Sequence, residues 1–512
     1  MEIEKIVRIM GIYAISLLIA LSTSSLFMSS QSYVPILLIL FVALTVSAAS
    51  LKVGKVKESF FILLIISAYT LHLISIYHLL PVGWNQDQRL FIIKLLKDAG
   101  RINVLKEQVA SYYAIYPIPW LIASSIDMIT LLGSQASLLL LYLVVYACST
   151  MFLWLILRLI SSDDQRTYLP YLLAIILSTS VYYHRPFQDL LPSALGILSI
   201  LITFYLLVIP KSLSPVLLLL SIPLFAAHGL SIYIMSTFLF ALAVTYVLIG
   251  SKEKARRTIN YGLIIFGGTW TFQVGSQIID TLVREVPYRW GQTVNVFHIL
   301  FARPEVSQSV AEQQLHYVYW FDKIITPVAY TYIVVLVFLS SLYFSFKLIR
   351  SRDVSIAPLL TTGYLCLLAY GVAFIFSYKG IENYVARYLY LYATPPSVII
   401  CTLFISELIK SKQKFALSLL IVTLAVGILS MTESLYTPYA SILKAPDSEK
   451  FEKLYEIYYA PAAFNRNIVS DFSESIYKIW RAENVQIYAL HRFVQDQHSI
   501  IYSNGIVVAT YD

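Results

Sequence analysis

The chain has 512 residues, of which 58% are hydrophobic and only 13% charged, and its mean hydropathy is +0.73. A soluble domain of this length does not reach such values, so the composition defines a membrane protein. The net charge of +8 is dispersed over many short connections rather than gathered on one face, which argues against nucleic-acid binding.

Apolar runs of about 17–25 residues recur from end to end, each long enough to cross a hydrocarbon core of roughly 30 Å as a helix. Taken in chain order, the expected spans are 9–29, 33–50, 59–80, 136–157, 168–184, 190–209, 214–228, 230–250, 260–279, 324–345, 356–377, 390–408 and 416–432, about thirteen in all. Barrel strands would be shorter and alternating. The first run follows Glu2, Lys5 and Arg8 and lacks an Ala-x-Ala-like cleavage site, so it reads as a retained anchor. The basic connections are Lys52, Lys55 and Lys57; Lys252, Lys254, Arg256 and Arg257; Lys347, Arg350 and Arg352; and Lys410, Lys412 and Lys414. All four fall on one side of the membrane under this span list, which the positive-inside rule makes the cytoplasm. The N-terminus is then cytoplasmic and residues 433–512 extracytoplasmic. Cys148, Cys366 and Cys401 all lie inside expected spans and form neither a disulfide framework nor a metal-ligand pattern.

Three outer segments exceed simple turns: 81–135, 280–323 and the tail 433–512. In the first, 87–98 reads as an interfacial helix, with Asp87, Lys94, Lys97 and Asp98 on one arc and Phe91, Ile92, Leu95 and Leu96 on another. The stretch 118–132, interrupted by Asp127, reads as a second surface helix; a true span there would invert every later loop and lose the positive-inside agreement. The tail predicts helices near 447–459 and 472–482, strands at 467–470 and 485–490, and a hairpin turning at Asn504-Gly505. The fold class is therefore an all-α polytopic membrane domain, residues 1–432, followed by a small extracytoplasmic α/β module, residues 433–512.

Ionisable residues are rare within the spans, and those at the outer mouths carry the chemistry: Asp87, His184, Arg185, Asp189, His228, Asp280, Lys379, Glu382 and Arg387. Gly83-Trp84-Asn85-Gln86-Asp87 is followed by a helix ending Lys97-Asp98-Ala99-Gly100. Then come Tyr113-x-x-Tyr116-Pro117-x-Pro119 and an apolar segment closing at Leu132-Gly133. This arrangement resembles the first outer loop of GT-C glycosyltransferases, and of archaeal members in particular. Tyr183-His184-Arg185, His228-Gly229 and Tyr384-Val-Ala-Arg387 also resemble that group.

The resemblance implies a polytopic enzyme that uses a polyprenyl-phosphate-linked sugar and passes it to a glycan, protein or lipid acceptor. It implies Asp87 as general base and Arg387, helped by Lys379 or Arg185, as the clamp on the leaving phosphate. His184, His228, Trp84 and Tyr116 are the further candidate substrate contacts. Many members carry a second acid beside the first; here Asn85 and Gln88 stand in the neighbouring places, so no metal or other cofactor is required by the pattern.

Simpler readings stand beside these. Asp87 also suits a helix N-cap, Arg387 also suits snorkelling to the head groups, and the two histidines also suit satisfied helix ends. The tyrosines and tryptophans near span ends also suit an interfacial belt. At the level of function, the alternatives are a transporter or flippase of a lipid-linked glycan and a non-catalytic membrane assembly protein. Transport predicts internal repeats or paired broken helices, and the sequence displays neither clearly.

Overall fold

The computed structural model describes residues 2–27, 58–79, 86–100, 117–180, 183–184, 187, 192–208, 214–275, 320–351, 356–378, 384–442, 467–470, 499–503 and 507–511. The helices are α1 (Glu2–Phe27), α2 (Glu58–Leu79), α3 (Gln86–Ala99), α4 (Ile118–Thr130), α5 (Ser134–Ile160), α6 (Asp163–Arg166), α7 (Leu169–Thr179), α8 (Ser193–Val208), α9 (Ser214–Ala226), α10 (Gly229–Leu248), α11 (Lys252–Gly275), α12 (Trp320–Ser351), α13 (Ala357–Tyr378), α14 (Tyr384–Ser411) and α15 (Gln413–Ile442). Three strands follow, β1 (Asn467–Ser470), β2 (Ser499–Ser503) and β3 (Val507–Tyr511). The chain forms two compact units, residues 1–75 with 143–437 and residues 76–142 with 438–512.

Among the described residues, seven uninterrupted stretches are long and apolar enough to cross a bilayer: Ile3–Thr23, Ala136–Ile160, Ser231–Leu248, Val328–Ser351, Ala357–Phe374, Leu389–Ser411 and Gln413–Met431. Each coincides with an expected span, and the protein is a multi-pass helical membrane protein. The run 33–50 lies outside the described residues. The run expected at 59–80 is α2, Glu58–Leu79, whose 22 residues rise about 33 Å and match the hydrocarbon thickness. Those expected at 168–184, 190–209 and 214–228 contain the shorter apolar stretches Leu169–Thr179, Ser193–Val208 and Pro215–Ala226. A helix the length of Leu169–Thr179 rises about 17 Å, so a crossing there needs residues beyond the helix. Of the run 260–279, residues 260–275 are described and belong to α11, which opens on Lys252, Glu253, Lys254, Arg256 and Arg257.

In the larger unit, α14 is the hub. An 18-residue window within Leu389–Ser411 is 94% buried, against 33–50% for the windows of the other six candidate spans, and the helix packs against α7, α8, α10, α12 and α13. Its polar side chains are satisfied by these neighbours: Tyr370 shares a 2.9 Å hydrogen bond with Ser397, and the Cys366 thiol donates to the Ala393 carbonyl at 3.5 Å. Many serines and threonines in the bundle turn back onto their own helix, as Thr402 does onto the Val398 carbonyl at 2.7 Å, which hides their hydroxyls from lipid.

Small residues set the closest helix crossings. A Cβ at Gly11 in α1 would lie 2.6 Å from Cβ and 2.8 Å from Cα of Tyr171 in α7, so the two backbones meet where only hydrogen fits. The Phe61 and Tyr171 rings, 4.2 Å apart, extend this contact to α2.

In the smaller unit the three strands form one antiparallel sheet in the order β1-β3-β2. The strand expected at 467–470 is β1, and the expected hairpin is the β2–β3 pair, with a register irregularity between Ile500 and Tyr502. The helices expected near 447–459 and 472–482, the strand at 485–490 and the Asn504-Gly505 turn lie outside the described residues.

Gly11→Ala should separate α1 from α7, because the obstructing atoms are backbone and Cβ rather than a flexible side-chain end. The expected loss is about 1–3 kcal/mol, read as a lower thermal midpoint of the detergent-purified protein. An unchanged midpoint would show that this crossing does not hold the bundle together.

Candidate functional site

The segment between α2 and α5 is built around one buried acid. Asp127, 1% exposed, accepts hydrogen bonds from the Ser134 hydroxyl at 2.8 Å, the Gly133 N–H at 3.0 Å and the Lys97 ammonium at 3.3 Å. Two of these partners lie just beyond the end of α4 and the third reaches across from α3, so a single carboxylate ties the α3–α4 pair to the start of α5. The local backbone explains the need. Leu131 caps α4 at φ 58°, a left-handed conformation that a leucine rarely adopts, and it is followed by Gly133 at φ 86°. The bonds from Gly133 and Ser134 to the carboxylate hold that reversal in place. Sequence reading took Asp127 for an interruption in an apolar stretch; its role as a loop anchor has no local signature, because its cation lies 30 residues away. At 13 residues, roughly 20 Å, α4 is too short to cross a bilayer.

Asp87 is the second residue of α3, inside its first turn, where the helix dipole favours a carboxylate. Trp84, Tyr116, Arg185 and Lys379 lie outside the described residues. Arg387 is the fourth residue of the hub helix α14, at the end opposite Glu407 and Lys410. Twenty residues separate Arg387 from Glu407, a rise of roughly 30 Å, which matches the hydrocarbon thickness.

His228 is held beside that same end of α14. It precedes α10 in an extended conformation, φ −151° and ψ 110°, and its Nδ1 shares a 2.7 Å hydrogen bond with the Tyr392 hydroxyl. Tyr392 follows Arg387 by five residues on α14, a rise of about 7.5 Å, so His228 sits within one and a half turns of the arginine's backbone position. The contact is close-packed: a Cβ at Gly196 in α8 would come within 2.6 Å of the Tyr392 hydroxyl.

His184 belongs to a buried aromatic knot. Its Nε2 donates to the Leu177 carbonyl at 2.8 Å, and its ring stacks on Tyr69 with centroids 4.3 Å apart. Tyr146 lies 5.8 Å and Tyr183 5.3 Å from the imidazole, and Phe187 meets Tyr146 edge-on at 5.0 Å. With Nε2 donating, the neutral imidazole keeps a lone pair on Nδ1. That Nδ1 and the hydroxyls of Tyr69, Tyr146 and Tyr183 are buried and make no hydrogen bond among the described residues. The knot thus offers three phenolic donors and one imidazole acceptor, the pattern that receives an ordered water or a substrate hydroxyl. Only His184 of this group was legible as a candidate, since tyrosines so common in the chain carry no signal of their own. No cluster able to hold a metal ion occurs among the described residues.

No protein-family model matches this chain, and no curated protein matches it by sequence. Two solved structures from Archaeoglobus fulgidus resemble it. The oligosaccharyltransferase AglB in complex with an inhibitory peptide and a dolichol-phosphate aligns over 82% of this chain and 58% of its own, at 11% identity and a TM-score of 0.40. The oligosaccharyltransferase in the apo form aligns over 88% of this chain and 62% of its own, at 12% identity and a TM-score of 0.37. The chain spans about three-fifths of the length of either structure.

Asp127→Ala should release the α4–α5 reversal and leave Lys97 without its carboxylate. The expected cost is about 3 kcal/mol. It should appear as new protease cleavage near residues 131–134 at temperatures where the wild type resists. Wild-type resistance in the variant would remove Asp127 from its anchoring role.

Proposed function

We propose that this chain is an inverting glycosyltransferase of the GT-C type that takes sugar from a polyprenyl phosphate on the outer face of the membrane. The observation that carries the reading is the first outer loop: Asp87 in the opening turn of α3, on a loop whose companion helix is anchored by the buried Asp127. An acid on a braced element at a span end meets the positional demand on a general base. The acceptor hydroxyl gives its proton to the Asp87 carboxylate as its oxygen bonds to the anomeric carbon. The bond from that carbon to the phosphate oxygen breaks, and polyprenyl phosphate departs with the electron pair. One displacement inverts the anomeric centre.

Arg387 takes the phosphate role, since its planar fork donates two hydrogen bonds and stays charged. Lys379 and Arg185 assist it, and His184, His228, Trp84 and Tyr116 contact substrate. The acceptor is a glycan, a protein or a lipid. Neither a metal nor another cofactor enters the mechanism. The wider reading counts about thirteen membrane passes by including the shorter apolar helices, places the N-terminus in the cytoplasm, and assigns residues 433–512 to a small extracytoplasmic α/β module after the membrane domain 1–432.

Asp87→Asn should abolish transfer from a labelled polyprenyl-phosphate sugar while the protein remains membrane-inserted and monodisperse. Arg387→Ala should lower turnover by about 100-fold, and Arg387→Lys should recover only part of it. Full activity in Asp87→Asn would sink the assignment.

A further inference from the structure

The end of the larger unit opposite Arg387 contains a cavity that the glycosyl-transfer reading does not use. It has a volume of about 550 Å³ and lies among the ends of α5, α8, α10, α11, α12 and α14, the ends that carry the basic connections. Its polar lining includes Lys254, Arg257 and Lys347 against one carboxylate, Glu407. That carboxylate is already engaged: Lys347 binds it at 2.7 Å and the Gln165 amide at 3.0 Å. Lys254 sits 5.9 Å above the Tyr246 ring, and Arg257 donates to the Tyr261 hydroxyl and the Leu206 carbonyl, each at 3.0 Å. The remaining lining is mostly apolar, with Phe204, Leu242, Phe344 and Leu403 in it, and includes Thr258 and Thr362. Phe204, Phe238 and Thr362 are shared with a second, almost wholly apolar cavity of about 210 Å³.

The cavity therefore combines cationic side chains with apolar walls, some of which it shares with a second apolar space. A soluble anion would match the cations and waste the apolar walls; an apolar ligand would strand the charges. A zwitterionic lipid would bring its own cation to these side chains. We infer that this cavity binds the phosphate head group and part of an acyl chain of an anionic phospholipid from the leaflet facing the basic connections. In the orientation proposed above this is the inner leaflet. The binding itself depends neither on that orientation nor on glycosyl transfer, so loss of activity in Asp87→Asn does not bear on it.

The test is native mass spectrometry of the full chain in detergent, titrated separately with phosphatidylglycerol, phosphatidylcholine and inorganic phosphate. Phosphatidylglycerol should be retained at one tight site and phosphatidylcholine should not. Lys254→Gln should weaken phosphatidylglycerol binding by about fivefold, from roughly 1 kcal/mol per basic residue near a lipid surface. Arg257→Gln should act in the same direction. Arg350→Gln, which removes an exposed charge on α12 that does not line the cavity, should leave binding unchanged and controls for general surface charge. Thermal midpoints of the variants separate lost binding from lost folding. Equal retention of phosphatidylcholine, equal loss in Arg350→Gln, unchanged affinity in a folded Lys254→Gln, or displacement of the lipid by inorganic phosphate would each overturn the inference.

Discussion

A helix surrounded on every side by protein is the constraint on which the larger unit depends. Helix α14 has almost no lipid-facing surface, so each polar group it carries must be met by a neighbouring helix or by its own backbone. The chain meets that demand along the whole length of α14: the Tyr392 hydroxyl takes His228, Ser397 takes Tyr370, and Ser406 takes the Gln165 amide at 3.0 Å. Pro395 and Pro396 lie within the same helix and remove two backbone donors that would reach the carbonyls of Leu391 and Tyr392. Such a sequence is tolerable only where neighbouring helices enclose the segment. The bundle is thus organised around a central element whose exposure to lipid would leave several hydrogen-bonding groups without partners.

The smaller unit meets an analogous constraint with a charge. Burying Asp127 is costly in isolation, and three donors offset the cost while fixing a reversal that Leu131 would not adopt alone. The exposed faces of Met128, Ile129, Leu131 and Leu132 beside it give α4 the character of an interfacial element, apolar outside and pinned by polar bonds within.

The seven long spans were legible because length and uniform hydropathy are local properties, and so was the β2–β3 pairing, through its Asn-Gly signal. Hydropathy alone ranks α7 with the long spans, because it is as apolar as any of them and its 11 residues end at Ser180 without a local signal. Sequence periodicity does not reveal that stop. The Lys97 partner of Asp127, the Tyr392 partner of His228 and the Tyr69 ring against His184 were also invisible, each contact being long-range: His228 reaches Tyr392 across 164 positions. What sequence did identify was the rarity of charged groups at span ends, which brought His184 and His228 into view without revealing what they touch.

The Glu407 end of α14 is held by a network of charged and polar bonds. At the Glu407 end, Lys347 and Gln165 hold the carboxylate, Lys410 donates to Ser162 at 2.8 Å and approaches Asp164 at 3.7 Å, and Tyr168 donates to the Ser406 carbonyl at 3.2 Å. The ion pairs are partly exposed and modest alone, but with the buried Tyr168 bond they join α12, α14 and the α5–α7 connection into one network. Reorganising that end would disturb several contacts at once, which suits a fixed support and a resident lipid better than a turnover step.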